Sequence, residues 1–205
     1  MTIDILKLVF EALTALSVIV ASIVAICGIN AWKKEFSGKR RIELAEEVLA
    51  LFYEARDAIS VIRSPFAYKD EGSTRSPQED ETQIQKEAKD RSYIVHERFQ
   101  KQRNVFNKLQ SKRYQFMARF GCEKARPFDS LRQIVLEILM SADELVPTMI
   151  RRDRDVQNEE KLFEEETRLE AIIQEQPVND PIKHRLEEII SGIEAICRPI
   201  ILGKK

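Results

Sequence analysis

A run without a single charge limits what this chain can become. From Ala12 to Trp32 it reads ALTALSVIVASIVAICGINAW, with Thr14, Ser17, Ser22 and Asn30 as its polar side chains. About 20 apolar residues in a helix cross a hydrocarbon core roughly 30 Å thick. A helix satisfies its own backbone groups, so it is stable in lipid. Three other readings fit less well. A cleavable signal peptide has a positive start and a shorter apolar core, whereas MTIDILK is formally near neutral. A lipoprotein signal puts a small residue ahead of its cysteine, and here Ile26 precedes Cys27. A buried core helix shows a polar face over such a length. The run therefore predicts one membrane span.

The residues on either side of the run set a direction. Trp32 suits the headgroup level, and Lys33, Lys34, Lys39, Arg40 and Arg41 come directly after it, against Lys7 alone on the other flank. Positive residues stay on the cytoplasmic side. The N-terminus is expected outside and the remainder in the cytosol, its bases drawn to anionic headgroups. Glu11, one turn after Lys7, reads as an interfacial carboxylate paired with that lysine, or as a polar group facing a pore or a partner helix. Ser17, Ala21 and Ala25 fall at i, i+4 and i+8. Such a stripe of small residues lets two helices approach closely, which makes the three candidates for an oligomer interface.

The chain divides on this reading into residues 1–36, the N-terminal segment with its span, and residues 37–205, a cytosolic region. That region is expected to be helical, because the whole chain has only six glycines and seven prolines. In RIELAEEVLALFYEARDAISVIRSP, Ala45, Val48, Phe52, Ala55, Ile59 and Ile62 alternate steps of three and four, a seam on one helix face. Leu49 and Leu51 widen it toward a bundle-facing stripe. Val48, Phe52 and Ile59 are therefore further candidates for self-association. Pro65 ends this helix, and residues 64–82 read as a flexible, exposed loop. A long helix is expected over 83–120, with Phe99 and Phe106 on its apolar stripe and Gly121 as its stop. A greasier helix comes next within RPFDSLRQIVLEILMSADELVPTMIRR, capped by Asp129 or Ser130 and kinked or ended by Pro147. An acidic helix is expected over 156–174. The last helix takes Asp180 as N-cap and Pro181 as its first residue, and Pro199 is expected to end it. The fold class is all-α: one N-terminal transmembrane helix, then an antiparallel bundle of four or five helices with coiled-coil-like long members.

Chemistry finds little to stand on. There is no Gly-rich phosphate loop, no HExxH and no Glu-x-x-His pair. His96 and His184 are the two histidines, and neither is near a cysteine in sequence. Cys27, Cys122 and Cys197 are odd in number and far apart, which fits a reducing compartment better than a disulfide framework. Adjacent acids such as Glu46 and Glu47 point to different helix faces. No enzyme activity, cofactor or metal is expected. Lys+Arg total 33 and Asp+Glu 34, so net charge selects no partner. Its distribution is more informative. Bases crowd residues 86–126, and acids crowd residues 153–180. Either the two helices neutralise each other, within one bundle or between protomers, or the basic helix binds an anion, or it is an ordinary solvated face. The candidates for anion binding are Lys101, Arg103, Lys108, Lys112 and Arg113.

The stretch WKKEFSGKRRIELAEEVLALFYEARDAISVIRSPF, from Trp32 to Phe66, resembles the start of uncharacterised bacterial membrane proteins with one N-terminal span and a cytosolic helical region. The resemblance implies a bacterial inner-membrane setting and transfers no catalytic residue. The sequence thus leads to a membrane-anchored, self-associating interaction or sensor protein, extending to an oligomeric effector that perturbs the membrane. Its expected partners are the lipid bilayer, further copies of itself and a second protein. The alternative is a membrane-tethered binder of nucleic acid, a nucleotide signal or lipid headgroups through the basic helix.

Overall fold

A computed structural model describes the backbone of residues 2–67, 71–72, 74–76 and 78–203, and the side chains of all of these except residues 2–9, 11, 12, 15 and 156. The described residues are all-helical and contain no strand. Five helices run in order: α1 (Thr2–Ile62), α2 (Gln83–Phe120), α3 (Arg126–Arg154), α4 (Glu159–Ile173) and α5 (Lys183–Ile201). Short 3-10 turns precede α3 and α4. Two compact units divide the chain, Met1–Leu44 and Ala45–Lys205.

The first unit is helix. It contains a stretch long and apolar enough to cross a membrane, with a mean hydropathy of 1.8 and none of it buried. Phe10, Leu13, Leu16, Ile19, Ile23 and Ile26 all stand exposed. Its hydroxyls are turned inward onto the helix: Thr14 Oγ1 donates to the Phe10 carbonyl (2.6 Å), Ser17 Oγ to Thr14 (2.8 Å) and Ser22 Oγ to Val18 (2.8 Å). A polar group satisfied in this way presents little cost to an apolar medium. The side chains of Lys7 and Glu11 lie outside the described residues.

The second unit has a continuous apolar core. Phe52 of α1 meets Phe128 of α3 edge to face at 4.9 Å between ring centres, and Phe116 of α2 packs on Phe128 at 5.3 Å. Around them Ala45, Val48, Ile59, Leu131, Ile134, Ile138, Leu145 and Ile193 are at most 2 % exposed. Polar pairs mark how neighbouring helices run. Lys112 meets Glu47 (2.7 Å), while Arg98 meets the Ser64 carbonyl (2.6 Å), so positions ascend along α2 as they descend along α1. The same reversal joins α2 to α3, through Arg113 with Asp129 (2.9 Å) and His96 with Asp143 (2.7 Å).

Several expectations change. Val48, Phe52 and Ile59, expected to serve self-association, are all buried against this chain's own helices and offer no surface to a second copy. Asp129 and Ser130 do not cap α3, which begins earlier, at Arg126, with Pro127 in its first turn. A proline there sacrifices no intrahelical hydrogen bond. Asp129 pairs with Arg113 instead. Pro147 does not end α3, which continues to Arg154. Pro199 does not end α5 at once, since helix continues to Ile201. Each proline removes one amide donor, and the burial of flanking side chains such as Leu145, Met149 and Cys197 outweighs that loss. The segment after Pro65 is also tied down where it is described. The Gly72 amide donates to Glu97 (2.9 Å), Thr74 hydrogen-bonds the Tyr93 hydroxyl (2.7 Å), and Arg75 binds Glu81 and Asp90. The polar face of α2 supplies most of these partners.

Candidate functional site

The surfaces of α2 and of its neighbours carry most of the residues with a functional reading. α2 starts on a reciprocal cap. Thr82 Oγ1 accepts from the Gln85 amide (3.3 Å), and Gln85 Oε1 accepts from the Thr82 amide (3.0 Å). Just before it, Glu81 is gripped by both arms of Arg75 (2.9 and 2.8 Å) and by Lys89 (3.0 Å). These hydrogen bonds, Arg75 first, hold the Glu81 carboxyl down at about 2 despite its burial.

Two arginines without a distinguishing sequence signal lock the end of α1. Arg98, 5 % exposed, donates to the carbonyls of Ile62, Ser64 and Phe66 and takes both oxygens of Glu71. Arg63, 3 % exposed, donates to the carbonyls of Ala171, Ile172 and Gln174 at the end of α4, and to Asp180. Helix ends leave carbonyls without intrahelical partners, and a guanidinium has enough donors to serve several at once. A lone arginine near a helix end in sequence gives no sign of this, because the carbonyls it serves lie on another element. Both are engaged structurally at helix ends.

The five anion-binding candidates do not converge. Lys101, Lys108 and Lys112 share one side of α2 by helical spacing, whereas Arg103 lies on the far side. Lys112 is bound to Glu47, Arg113 to Asp129 (2.9 Å) and Lys101 to Glu97 (3.2 Å). Arg103 and Lys108 have no such partner among the described residues. Part of the charge imbalance is thus settled inside the chain, mostly against α1, α2 itself and α3. Between α2 and α4 the pair is Arg91 with Glu170.

An open groove runs between α2 and α3, with a volume of about 340 Å³. Phe99, Phe106, Leu136 and Leu139 line it, and Arg132 closes one side. Phe99 and Phe106 stack at 5.7 Å. The apolar stripe of α2 predicts both rings in the core, but each is only partly covered, and Leu136 is 45 % exposed. Leu136 falls off the buried stripe of α3, a sign that is present in the spacing.

The acidic helix α4 presents the opposite character. Phe163 is 56 % exposed, with the guanidinium of Arg152 over its ring at 5.6 Å. Glu159, Glu160 and Glu164 stand exposed around it without an ion-pair partner among the described residues. On the inner side Glu166 is buried, 3.0 Å from Arg152. Burial pushes its carboxyl above the usual carboxylate range, opposed by Arg152 and reinforced by Glu170. A cleft of about 820 Å³ between the end of α3 and the start of α4 is lined by charges of both signs, including Arg151, Arg154, Lys161, Asp155 and Glu164. Among the described residues no three His, Cys, Asp or Glu side chains come together as metal ligands.

In the first unit Ser17, Ala21 and Ala25 line one exposed side of the helix. Trp32 stacks on Phe36 at 5.5 Å, and Arg40 lies over the same Phe36 ring at 4.8 Å. Lys33, Lys34, Lys39, Arg40 and Arg41 are exposed. Trp32, Phe36 and Arg40 thus form a ladder at i, i+4 and i+8. No known protein family, curated protein or solved structure matches the chain.

Proposed function

We propose that this protein is a membrane-anchored, self-associating interaction or sensor protein of the bacterial inner membrane. The N-terminal part of α1 spans the bilayer once, N-terminus outside. Residues 45–205 work in the cytosol as an antiparallel bundle whose longest members pack like a coiled coil. The carrying observation is the uncharged run ending at Trp32, exposed along its described length and succeeded by a ladder of two aromatic rings and a guanidinium. Such side chains suit lipid on one side and headgroups on the other. Ser17, Ala21 and Ala25 offer a close approach to a second span. Triggered rearrangement of such an assembly would perturb the membrane. Alkaline extraction of membranes tests the anchor: the full chain stays with the pellet, and its release into the supernatant overturns the reading.

The anionic-ligand alternative has weaker support, because three of its five bases are already paired within the chain. Binding of a labelled RNA to the full chain in detergent, falling steeply with salt, would restore it.

A further inference from the structure

Self-association through residues 45–205 needs a surface, and the seam expected to supply it is spent in the core. The exposed apolar side chains point elsewhere. The groove between α2 and α3 is apolar at its floor, with Phe99, Phe106 and Leu136 open to solvent in part. Arg132 is the charged side chain that lines it, and Arg103, outside the lining, shares the face of α2 with Phe99 and Phe106 by helical spacing. Neither arginine has an ion-pair or hydrogen-bond partner among the described residues. The groove therefore suits an amphipathic segment that brings one large apolar side chain beside carboxylates.

This chain carries such a segment. On α4, Phe163 is exposed, with Glu159 on one side of it and Glu160 and then Glu164, which also lines the α3–α4 cleft, on the other. The three carboxylates lack partners among the described residues, just as the two guanidiniums do. Within one molecule the two surfaces do not meet. Phe163 sits by Arg152, and the groove sits by Leu136; along α3 these are separated by about 24 Å at 1.5 Å per residue. Pairing groove to groove across a two-fold axis would set unpaired arginines against each other, which like charges disfavour.

We propose that α4 of one protomer docks in the α2–α3 groove of the next, with Phe163 as the apolar anchor and Glu160 and Glu164 against Arg103 and Arg132. The contact is head to tail, so it builds a ring where the rotation closes and an open array where it does not. It rests on the self-association proposed above and gives that association its surface.

The test uses the full chain in detergent and in nanodiscs, with assembly followed against concentration by mass photometry. Wild type assembles. Phe163→Glu, and separately the double variants Arg103→Glu/Arg132→Glu and Glu160→Arg/Glu164→Arg, each shift the midpoint of assembly at least tenfold upward. All these side chains are exposed or at a rim, and unchanged thermal melts check the fold. An equimolar mixture of the two double variants regains assembly, since each then offers a charge opposite to its neighbour's. If wild type assembles but the variants assemble equally well, the surface is wrong while self-association stands. If wild type stays monomeric at the highest membrane density, self-association itself fails and this contact with it.

Discussion

Arg63 and Asp180 form an ion pair at 3.0 Å with their side chains 4 % and 3 % exposed, 117 residues apart in sequence. Asp180 also accepts from the amides of Gln176 (2.8 Å), Ile182 (2.9 Å) and Lys183 (2.8 Å). One carboxylate thus starts α5 and anchors the arginine that closes α4. Burial alone would raise the Asp180 carboxyl, but the Gln176 and Lys183 amides and the Arg63 guanidinium outweigh it and hold it below its ordinary value. Removing one partner of a buried pair strands the other. Asp180→Ala and Arg63→Met are each expected to lower stability by about 3–5 kcal/mol, read as a shift in urea midpoint. Because the folded carboxyl titrates below its unfolded value, its contribution is present above the unfolded value and is lost as pH falls through the folded one. The Asp180→Ala deficit should accordingly shrink in strong acid; a deficit independent of pH would separate it from this carboxylate.

Glu166 behaves in the opposite sense. Its folded carboxyl titrates above the unfolded value through burial, so any stability it carries is fully present below the unfolded value and is lost as pH rises through the folded one. Arg152 from α3 and Arg91 from α2 oppose the shift, while Glu170 and Glu87 add to it. Glu166→Gln should raise the melting temperature at pH 7 and leave it nearly unchanged at pH 4. A lower melting temperature at pH 7 would mean that the Arg152 pair contributes more than the buried charge costs.

Thiol labelling reads both burial and topology. Cys122 is exposed, and Cys197 is fully buried with its thiol pushed up to about 12. In intact inverted membrane vesicles, a membrane-impermeant maleimide should modify Cys122 without detergent, and Cys197 only after denaturation. In right-side-out spheroplasts Cys122 should stay unmodified until lysis. Labelling of Cys122 from the outer side would reverse the proposed orientation.

The aromatic cluster and the exposed anchor should respond differently to the same truncation. Phe52 is fully buried against Phe128, so Phe52→Ala is expected to cost about 3–5 kcal/mol. Phe163 is more than half exposed, so Phe163→Ala is expected to fall within about 0.5 kcal/mol of wild type. Chemical denaturation of the full chain in detergent measures both. A large loss from Phe163→Ala would make α4 dependent on that ring for folding and weaken its role as a docking anchor.

At the start of α2 the reciprocal cap supplies a smaller effect. Thr82→Ala removes the acceptor for the Gln85 amide and is expected to cost about 1 kcal/mol. Thr82→Ser keeps the hydroxyl and should restore most of it, as a thermal melt would show.

Features with local causes were legible in the residue order. The uncharged run marks the apolar part of α1, the polar stretch before Gln83 and the glycine at 121 bound α2 at 83 and 120, and Asp180 supplies the Ile182 and Lys183 amides with an acceptor, although α5 begins at Lys183, two residues beyond the expected Pro181. Each depends on residues a few positions apart. What a given exposed or charged side chain meets was settled only by the packing of the helices. That packing spends Val48, Phe52 and Ile59 on the chain's own core, divides Lys101, Lys112 and Arg113 among three acids, and buries Arg63 and Arg98 at helix ends. Those outcomes depend on which helices lie together and in what register. A guanidinium finds its carbonyls, and a ring its neighbours, only after segments a hundred residues apart have been brought to within a few ångströms.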